Sequence, residues 1–570
     1  MEDILRYELR LSATRAGTGH FACRPVPVGT LESNLSILRR CPMDEFMHSH
    51  VLETIGAMEI ETVQGLLENA KGSDPLLEAI ILEAANSYEK LAPLREAFDD
   101  EKAARLRSHS PLIVIKWSLL KDRETHQAWI DIFEANIFQH RELPPPHKTS
   151  LPFPFLPEEL STKAKPPVHI GELFSRTAGK LSAKRENMPS AGETARRALK
   201  ALREAGALAG GEMRHMASLS PHGFHRRWRF GIRVRNGRHA FTFSGIQTGY
   251  GKGLTADAAR ASYAMEIVER ISALASFGPG GALDYARDYP LVHASLSGLA
   301  GADKPALDPN HLGLEIPYND EPLHWMEGTE RGDSGLRPIL IPAQTAFLFC
   351  NLDEVNLFSG LGSTGFASGN TLEQAKLNAV LEVLERDCEA TTPYDPAHCF
   401  RLESRDPVVG SILASCRTMG LGVQFQDLTG DLGIPCYKCF IKEYGGRILK
   451  GTGAHLDGRK ALLSALMETP RPYAPAPRST ELPEALPVLP LEELPNFSTG
   501  DPGQDLEILE TLLQANGFRV VYVDLTRRDL GIPVVRVLIP GLEIMADFDR
   551  YSRVSPRLFL KYLRAFPSLS

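Results

Sequence analysis

Cysteine is scarce in this 570-residue sequence, and its eight cysteines are scattered rather than spaced like a disulfide framework. Such usage suits a reducing compartment. No uninterrupted apolar run reaches the roughly 18–20 residues that a membrane helix needs. The first residues, MEDILRYELRLSATRAG, lack the basic start and apolar run of a secretory signal. These absences lead us to expect a soluble, cytoplasmic protein without a membrane partner.

A large excess of one charge is also lacking. The chain carries 63 basic and 71 acidic residues, a net charge of -8. This balance argues against broad, nonspecific binding of nucleic acid, although it allows a local site for a polyanion such as ATP. One stretch is locally basic: His225–Arg229 (HRRWR), followed by Arg233 and Arg235. It either holds an acidic substrate or partner, or forms a solvated strand face.

The spacing of apolar residues divides the chain into two regions. Residues 5–11 alternate between apolar and charged side chains, which predicts a strand, whereas residues 30–139 have helical spacing. Prolines then concentrate between Pro144 and Pro167, a composition typical of a stiff linker. We therefore predict a mostly α-helical N-terminal domain over residues 1–165 and a second domain over 166–570. A proline-rich insertion at 470–495 predicts a long surface loop.

An internal repeat lies in the second domain. Gly253–Arg270 (GLTADAARASYAMEIVER) aligns without gaps with Gly369–Arg386 (GNTLEQAKLNAVLEVLER). Each segment has a threonine, Thr255 or Thr371, suited to cap a helix, and each ends in Glu-x-x-Glu-Arg. His455–Glu468 (HLDGRKALLSALME) is a third, degenerate relative without the closing Glu and Arg.

The repeated pattern predicts a site for a magnesium-bound phosphate group. On a helix the two glutamates and the arginine share one face. Carboxylate oxygens are ligands that Mg²⁺ prefers, and arginine binds phosphate with two hydrogen bonds. The alternative is a pair of ordinary solvated helices. Two occurrences, each following a loop of glycine and small residues (GYGKG and GSTGFASGN), favour the functional interpretation.

These segments resemble the nucleotide-binding motifs of the YcaO-domain family. GYGKGLTADAARASYAMEIVER and GNTLEQAKLNAVLEVLERD match the family's two helices, and GTGAHLDGRKALLSALMETPR matches its third block. DLTRRDLGIPVVRVLIPGLE matches its characteristic ending. The resemblance covers about residues 180–550 and excludes the N-terminal helical region. It implies an α+β fold, a YcaO-type domain of mixed sheets and helices.

The resemblance also implies an activity, ATP-dependent phosphorylation of the oxygen of a peptide-backbone amide after a nucleophile has added. An azoline, a thioamide or an amidine results, depending on the nucleophile. The implied cofactors are ATP and Mg²⁺. The implied nucleotide-binding residues are Thr194, Lys252, Ser262, Glu266, Arg270, Asn370, Gln374 and Arg386. The implied metal ligands are Glu266, Glu269, Glu382 and Glu385, and the implied catalytic residues are Arg386 and Glu468.

Two departures from the family pattern keep a second hypothesis open. Gln374 stands where the family usually has a glutamate, and Ser464 where it usually has an arginine. One hypothesis is therefore an ATP-dependent enzyme that modifies a peptide or protein substrate with a sulfur-donor or modifying-enzyme partner. The other is an ATP-binding accessory protein that assists another enzyme, for example one that modifies a ribosomal protein. The sequence leaves a homodimer open.

Overall fold

The computed structural model combines helices and sheets, which confirms the predicted α+β class. It describes residues 4–13, 19–156, 160, 166–177, 187–332, 335–472, 479–480, 482–483, 485–544 and 547–566. Among these residues, no helix has both the length and the apolar character needed to cross a bilayer.

The helices and strands alternate after a helical first third. The α-helices are α1 (Leu31–Arg40), α2 (Glu45–Ala57), α3 (Ile60–Ala70), α4 (Pro75–Ser87), α5 (Asp100–Leu106), α6 (Val114–Ser118), α7 (Arg123–Gln139), α8 (Ile170–Thr177), α9 (Ala191–Glu204), α10 (Ala256–Ser272), α11 (Leu296–Gly301), α12 (Ala343–Ala346), α13 (Leu372–Thr391), α14 (Pro407–Thr418), α15 (Gly458–Glu468), α16 (Pro502–Ala515) and α17 (Pro556–Arg564). The strands are β1 (Leu5–Ala13), β2 (Gly19–Pro25), β3 (Leu208–Arg214), β4 (His222–Asn236), β5 (His239–Gly253), β6 (Phe277–Gly278), β7 (Gly281–Ala282), β8 (Val292–Ala294), β9 (Leu323–Gly332), β10 (Gly335–Pro342), β11 (Phe366–Ser368), β12 (Cys399–Glu403), β13 (Val423–Asp427), β14 (Cys436–Lys442), β15 (Ile448–Ala454), β16 (Val488–Pro490), β17 (Val521–Asp524) and β18 (Val534–Leu538).

The strands form three sheets. The first has the order β2-β1-β5-β4-β6-β7, with β3 also paired to β4. The second has the order β10-β9-β17-β18-β11, with β8 on β9, and the third has the order β15-β14-β13-β12-β16. Helices α10, α13 and α15 pack mainly on β5, β18 and β15, respectively. Each sheet therefore carries one of the three related helices.

The first strand forms where the alternating pattern predicts it, and its burial follows the pattern except at Leu11. Tyr7 and Leu9 are buried, whereas Leu11 is exposed. β1 pairs in parallel with β5, from Leu5 opposite Phe241 onward, so the start of the chain belongs to the sheet of the second predicted region. The helices α1 to α7 follow it, as expected. The domain boundary at residue 165 stays a prediction, since residues 161–165 lie outside the described part.

The proline-rich segment 470–495 contains more regular structure than a surface loop. Its strand β16 pairs in parallel with β12, with Val488 opposite Arg401 and Leu489 opposite Leu402. Two apolar residues in sequence allow this pairing despite the neighbouring prolines. Residues 473–478, 481 and 484 of the predicted insertion lie outside the described part.

Candidate functional site

The two Glu-x-x-Glu-Arg segments form helices α10 and α13 with the caps expected from the sequence. The Thr255 side chain accepts a hydrogen bond from the Ala258 amide at 3.1 Å. Thr371 accepts one from the Gln374 amide at 3.2 Å. Each threonine satisfies an amide that the first helical turn leaves free. The matching caps start both helices at the same point of the repeat.

Small residues bring each related helix close to a preceding strand or loop. A β-carbon at Gly251 would overlap the carbonyl oxygen of Ala259, and one at Gly453 would overlap that of Ala461. Gly369 lies equally close to the amide of Ala375. All three alanines are fully buried. The alanine shared by the three segments is therefore explained by close backbone packing.

A cavity of about 660 Å³ lies between these elements. It joins the two long helices to the third, because Ser464 and Glu468 of α15 line it as well. The sequence-predicted residues along it are Thr194, Lys252, Ser262, Glu266, Glu269, Arg270, Asn370, Gln374, Glu382 and Glu468. The structure thus brings together ten of the twelve predicted site residues.

Burial raises the pKa of three carboxyl groups at the cavity. It raises the pKa of Glu269 to about 8, an effect that Arg270 opposes and Glu382 reinforces. Burial also raises the pKa of Glu382 and of Glu266. The Arg270 guanidinium lies 3.2 Å from the Glu269 carboxylate. Three glutamates crowded with limited solvation favour a cation or a proton among them.

The other two predicted residues are turned away from the cavity. Glu385 accepts a hydrogen bond from the Ala454 amide at 3.2 Å, and burial raises its pKa to about 8. Arg386 lies 3.2 Å from Glu389 and 3.5 Å from Glu385. Neither residue is among the described residues that line the cavity. Glu385 connects α13 to the end of β15 instead, whereas Arg386 contacts glutamates of its own helix.

A chain of polar contacts crosses one end of the cavity. The Thr194 hydroxyl donates to the side-chain oxygen of Asn370 at 3.2 Å. The Asn370 amide donates to the Gln374 side-chain oxygen at 2.7 Å, and the Asn370 side-chain nitrogen donates to the same oxygen at 3.2 Å. Arg197 donates to the Asn370 carbonyl at 3.2 Å. Gln374 therefore holds the loop before α13 in place.

Lys252 and Glu468 meet at the opposite side of the cavity. The Lys252 ammonium donates to the Glu468 carboxylate, which joins the end of β5 to the end of α15. The side chain of Glu468 is 52% exposed, and that of Lys252 is 22% exposed. The Tyr250 amide donates to Glu266 at 2.9 Å nearby. This ion pair is the solvent-facing part of the site.

Three polar residues on the cavity and one behind it are not among the site residues predicted from the sequence. Tyr250, Ser368 and Asn378 line the cavity. Arg536 is fully buried on β18, and burial lowers its pKa to about 9 against the opposing charge of Glu382. A lone arginine in the apolar strand VVRVL was the available signal for Arg536, since unpaired buried charge is rare.

Two buried guanidinium nitrogens near the glutamates lack hydrogen-bond partners. They are Nη1 of Arg270, which lies 3.2 Å from the Glu269 carboxylate without hydrogen-bond geometry, and Nη2 of Arg536, counted over the described residues. Within the same part of the chain, no three His, Cys, Asp or Glu side chains converge into a complete metal cage. Mg²⁺ is usually held by one or two carboxylates together with phosphate oxygens and water. Carboxylates that form no cage of their own, with guanidinium groups beside them, suit such a shared site.

A family comparison accounts for this arrangement. Residues 250–474 and 470–543, together more than half of the chain, match the family model of YcaO cyclodehydratases, which bind ATP and Mg²⁺. The chain belongs to the YcaO family. ATP and Mg²⁺ are accordingly its cofactors, and the donor set of the cavity fits both. The matched range contains both Glu-x-x-Glu-Arg helices and the third helix.

Two curated relatives carry no assigned function. An uncharacterised protein of Methanothermobacter thermautotrophicus (strain Delta H) is 29% identical over 341 residues, which are 53% of this chain and 84% of the relative. An uncharacterised protein in the tfuA 3′ region of Rhizobium leguminosarum bv. trifolii is 24% identical over 336 residues, 52% of this chain and 76% of the relative.

One solved heterocyclase structure shares the fold. A heterocyclase in complex with substrate and cofactor is 20% identical with a TM-score of 0.51, covering 67% of this chain. The chain spans only 57% of that heterocyclase. YcaO from Methanopyrus kandleri, bound with AMPPCP and Mg²⁺, is 22% identical with a TM-score of 0.42, covering 62% of this chain and 91% of that chain.

Proposed function

We propose that the chain uses ATP and Mg²⁺ to phosphorylate the oxygen of a peptide-backbone amide, leading to a thioamide, an amidine or an azoline. The observation that carries this proposal is the cavity shared by the three related helices, which four glutamates and the Arg270 guanidinium line. Amide oxygen leaves poorly, and bound MgATP supplies the phosphoryl group that turns it into a good leaving group. The family description of ATP-binding cyclodehydratases supports this class of reaction.

The metal role falls to the buried carboxylates. Glu266, Glu269 and Glu382 face the cavity and supply the oxygen ligands that Mg²⁺ prefers. Burial, together with Glu382 and Glu266, raises the pKa of Glu269, so a bound cation would favour its charged form. Glu385 does not line the cavity, but its hydrogen bond from the Ala454 amide holds α13 against β15. It acts in this proposal as a positioning residue.

The phosphate role falls to donors at the cavity ends. The cavity is lined by Arg270, whose guanidinium is paired with Glu269, and by Ser262 and Asn370. Thr194 orients Asn370 through its hydroxyl. Gln374 fixes the Asn370 amide. Arginine and amide donors of this kind are common around phosphates.

The catalytic role falls to the exposed side of the site. Glu468 and Lys252 form an ion pair at the cavity and are accessible to a peptide. Separated by an incoming chain, the carboxylate can accept a proton from the nucleophile and the ammonium can face the developing oxyanion. Arg386, which we named as catalytic from the resemblance, touches Glu385 and Glu389 and would act through them.

Calorimetry with ATP and Mg²⁺ tests the nucleotide site. We expect Glu382→Gln to weaken binding at least about tenfold, roughly 1.4 kcal/mol, since it removes a charged ligand. Glu373→Gln is the matched control, because Glu373 lies exposed in the first turn of the same helix. Equal affinities of wild type and Glu382→Gln for MgATP would contradict the assignment of the cavity as the nucleotide site.

One observation favours an accessory role as the second candidate. Gln374 stands where the family usually has a glutamate. Its side-chain oxygen accepts hydrogen bonds from Asn370, in the loop before α13, instead of being available to a metal. Such a site could bind MgATP while assisting another modifying enzyme. An ATPase assay with candidate peptides, with and without a sulfide or amine donor, separates the two. Peptide-stimulated release of phosphate supports the enzyme, and nucleotide binding without stimulated release supports the accessory role.

A further inference from the structure

The hairpin of β4 and β5 carries an unusual excess of positive charge. Its sequence from His222 to Gly253 contains six arginines and one lysine but no aspartate or glutamate. Four of the arginines, Arg227, Arg229, Arg233 and Arg235, are exposed at alternating positions of β4. We call these four residues the arginine row.

The strand register leaves the arginine row without acidic neighbours on β5. Residues directly opposite each other in an antiparallel pair share a sheet face. The residues opposite the row are all uncharged, namely Thr248, Ile246, Thr242 and Ala240. The arginine row forms no ion pair with any residue in the described part of the chain. Within those described residues, nothing neutralises the row, so an external anion can bind it.

The neighbouring strands change this charge little. On β3, which pairs with the other edge of β4, Glu212 is already paired with Arg260 of α10 at 3.1 Å. On β1, Glu8 lies opposite Ser244 of β5. Its carboxylate already lies 2.7 Å from Arg10. The face consequently keeps its net positive charge.

The arginine row leads to the ATP cavity. Tyr250 lies opposite His225, one alternation beyond the pair of Arg227 and Thr248, so its side chain shares the face of the row. Tyr250 also lines the cavity. Its ring contacts His225 at 5.7 Å and His215 at 4.9 Å between centroids. A chain lying on the row would reach the cavity across this aromatic cluster.

We propose that the arginine row docks an acidic, extended segment of the peptide substrate and directs the chain toward the ATP cavity. This proposal rests on the proposed function, since it assigns the substrate that the cavity would modify. Alternate residues of a strand are about 6.8 Å apart, in the arginine row and in an extended peptide alike. An acidic residue at every second position can therefore meet successive arginines.

The same face is poorly suited to single-stranded nucleic acid. Such platforms interleave basic residues with aromatic side chains on which bases stack. Between Arg227 and Arg235, the exposed positions of β4 and their β5 partners include no aromatic residue. The overall charge of -8 also disfavours a polyanion of indefinite length. An acidic peptide matches both the spacing and the composition.

Fluorescence anisotropy with a labelled peptide of about 12 residues, alternating Glu and Ser, tests the proposal, since the row spans about 27 Å. We expect the combined change Arg229→Gln, Arg233→Gln and Arg235→Gln to weaken binding about tenfold or more. Arg105→Gln, Arg176→Gln and Arg528→Gln together form the matched control, because these three arginines are exposed and distant in sequence from the hairpin. The control should bind the probe like wild type.

Two further variants separate charge from folding. The triple change of the same three residues to Lys should keep binding within about threefold, because the charge remains. The triple change to Glu should lose the acidic probe and gain affinity for a Lys-Ser probe. Equal binding of the acidic probe by wild type and the Gln variant overturns the proposal.

Nucleotide binding and RNA competition complete the test. Wild type and the Gln triple variant should bind MgATP equally in calorimetry, since the row lies outside the cavity lining. If wild type does not bind MgATP, the proposed function is refuted. The docking proposal is then still tested by the anisotropy measurement. A single-stranded RNA that displaces the acidic probe at lower concentration than the unlabelled peptide does would assign the face to nucleic acid instead.

Discussion

Gln374 shows how one side chain can keep a structural role while losing a chemical one. Its oxygen accepts from the backbone and side chain of Asn370, at 2.7 and 3.2 Å. A glutamate could accept the same two bonds and add a negative charge beside the cavity that Glu266, Glu269 and Glu382 line. The amide therefore preserves the loop but supplies no charge to a cation.

Restoring that charge is a direct test at the residue scale. We expect Gln374→Glu to increase Mg²⁺ affinity at fixed ATP about threefold to tenfold, because a carboxylate is a stronger ligand than an amide. A magnesium titration followed by fluorescence of a labelled nucleotide measures this change.

The position-specific control for that titration is Asn378→Asp. It adds the same charge one turn further along α13, also on the cavity, but breaks the bond that Asn378 donates to the Ser368 carbonyl at 3.2 Å. It should bring no gain in affinity. If Gln374→Glu likewise leaves Mg²⁺ affinity unchanged, residue 374 is not a metal position.

At the scale of elements, the site depends on glycines that let strands touch helices. Gly251 of β5 lies against the backbone of α10 at Ala259 and Tyr263. Tyr250 and Lys252, on either side of it, face the cavity. A close strand–helix contact therefore fixes the direction of two cavity side chains.

The strand–helix contact predicts a specific loss of stability. Gly251→Ala should lower the free energy of unfolding by about 1–3 kcal/mol, because the added methyl group overlaps backbone atoms that cannot rotate away. It should also weaken MgATP binding, as β5 is displaced from α10. Urea denaturation and calorimetry measure the two effects.

Gly231 offers the control on the neighbouring strand. A β-carbon there would meet nothing within 4 Å. Gly231→Ala should be neutral or slightly stabilising, because glycine in a strand loses more chain entropy than alanine on folding. Equal stability of the two variants would show that the contact at Gly251 is not tight.

The same elements show what the sequence could and could not predict. Caps at Thr255 and Thr371 and the spacing of the repeat predict both helices, since these signals are local. The turning of Glu385 toward Ala454 was not predictable, because spacing places residues on a helix but not the helix against its neighbours. Pairing of β1 with β5 was equally hidden, as alternation predicts a strand without naming its partner.

At the scale of the whole molecule, α7 joins the helical first third to the third sheet. His140, at its end, stacks on Tyr394 with centroids 3.7 Å apart and meets the edge of Phe440 at 4.5 Å. The buried ammonium of Lys438 donates to the Ile137 carbonyl at 3.3 Å. The joint therefore combines aromatic packing with a buried positive charge.

The same joint predicts how stability depends on pH. Burial, reinforced by Lys438, Lys442 and Lys450, lowers the pKa of His140 to about 2, and its Nε2 lies buried without a partner among the described residues. In the unfolded chain the pKa is about 6.5. Stability from the neutral ring is thus complete above that value and is lost as pH falls below it.

Between about pH 7 and about pH 5, His140 should account for a loss of about 2 kcal/mol in the free energy of unfolding. The variant His140→Asn should be less stable than wild type at pH 7, but its free energy of unfolding should fall by about 2 kcal/mol less on acidification. Asparagine is chosen because it tolerates the left-handed backbone conformation at this position, where φ is 57°. His147→Asn, at an exposed histidine, should keep the wild-type difference. Denaturation curves at the two pH values decide the matter, because an equal acid-induced loss in wild type and His140→Asn would mean that the ring is protonated in the folded joint.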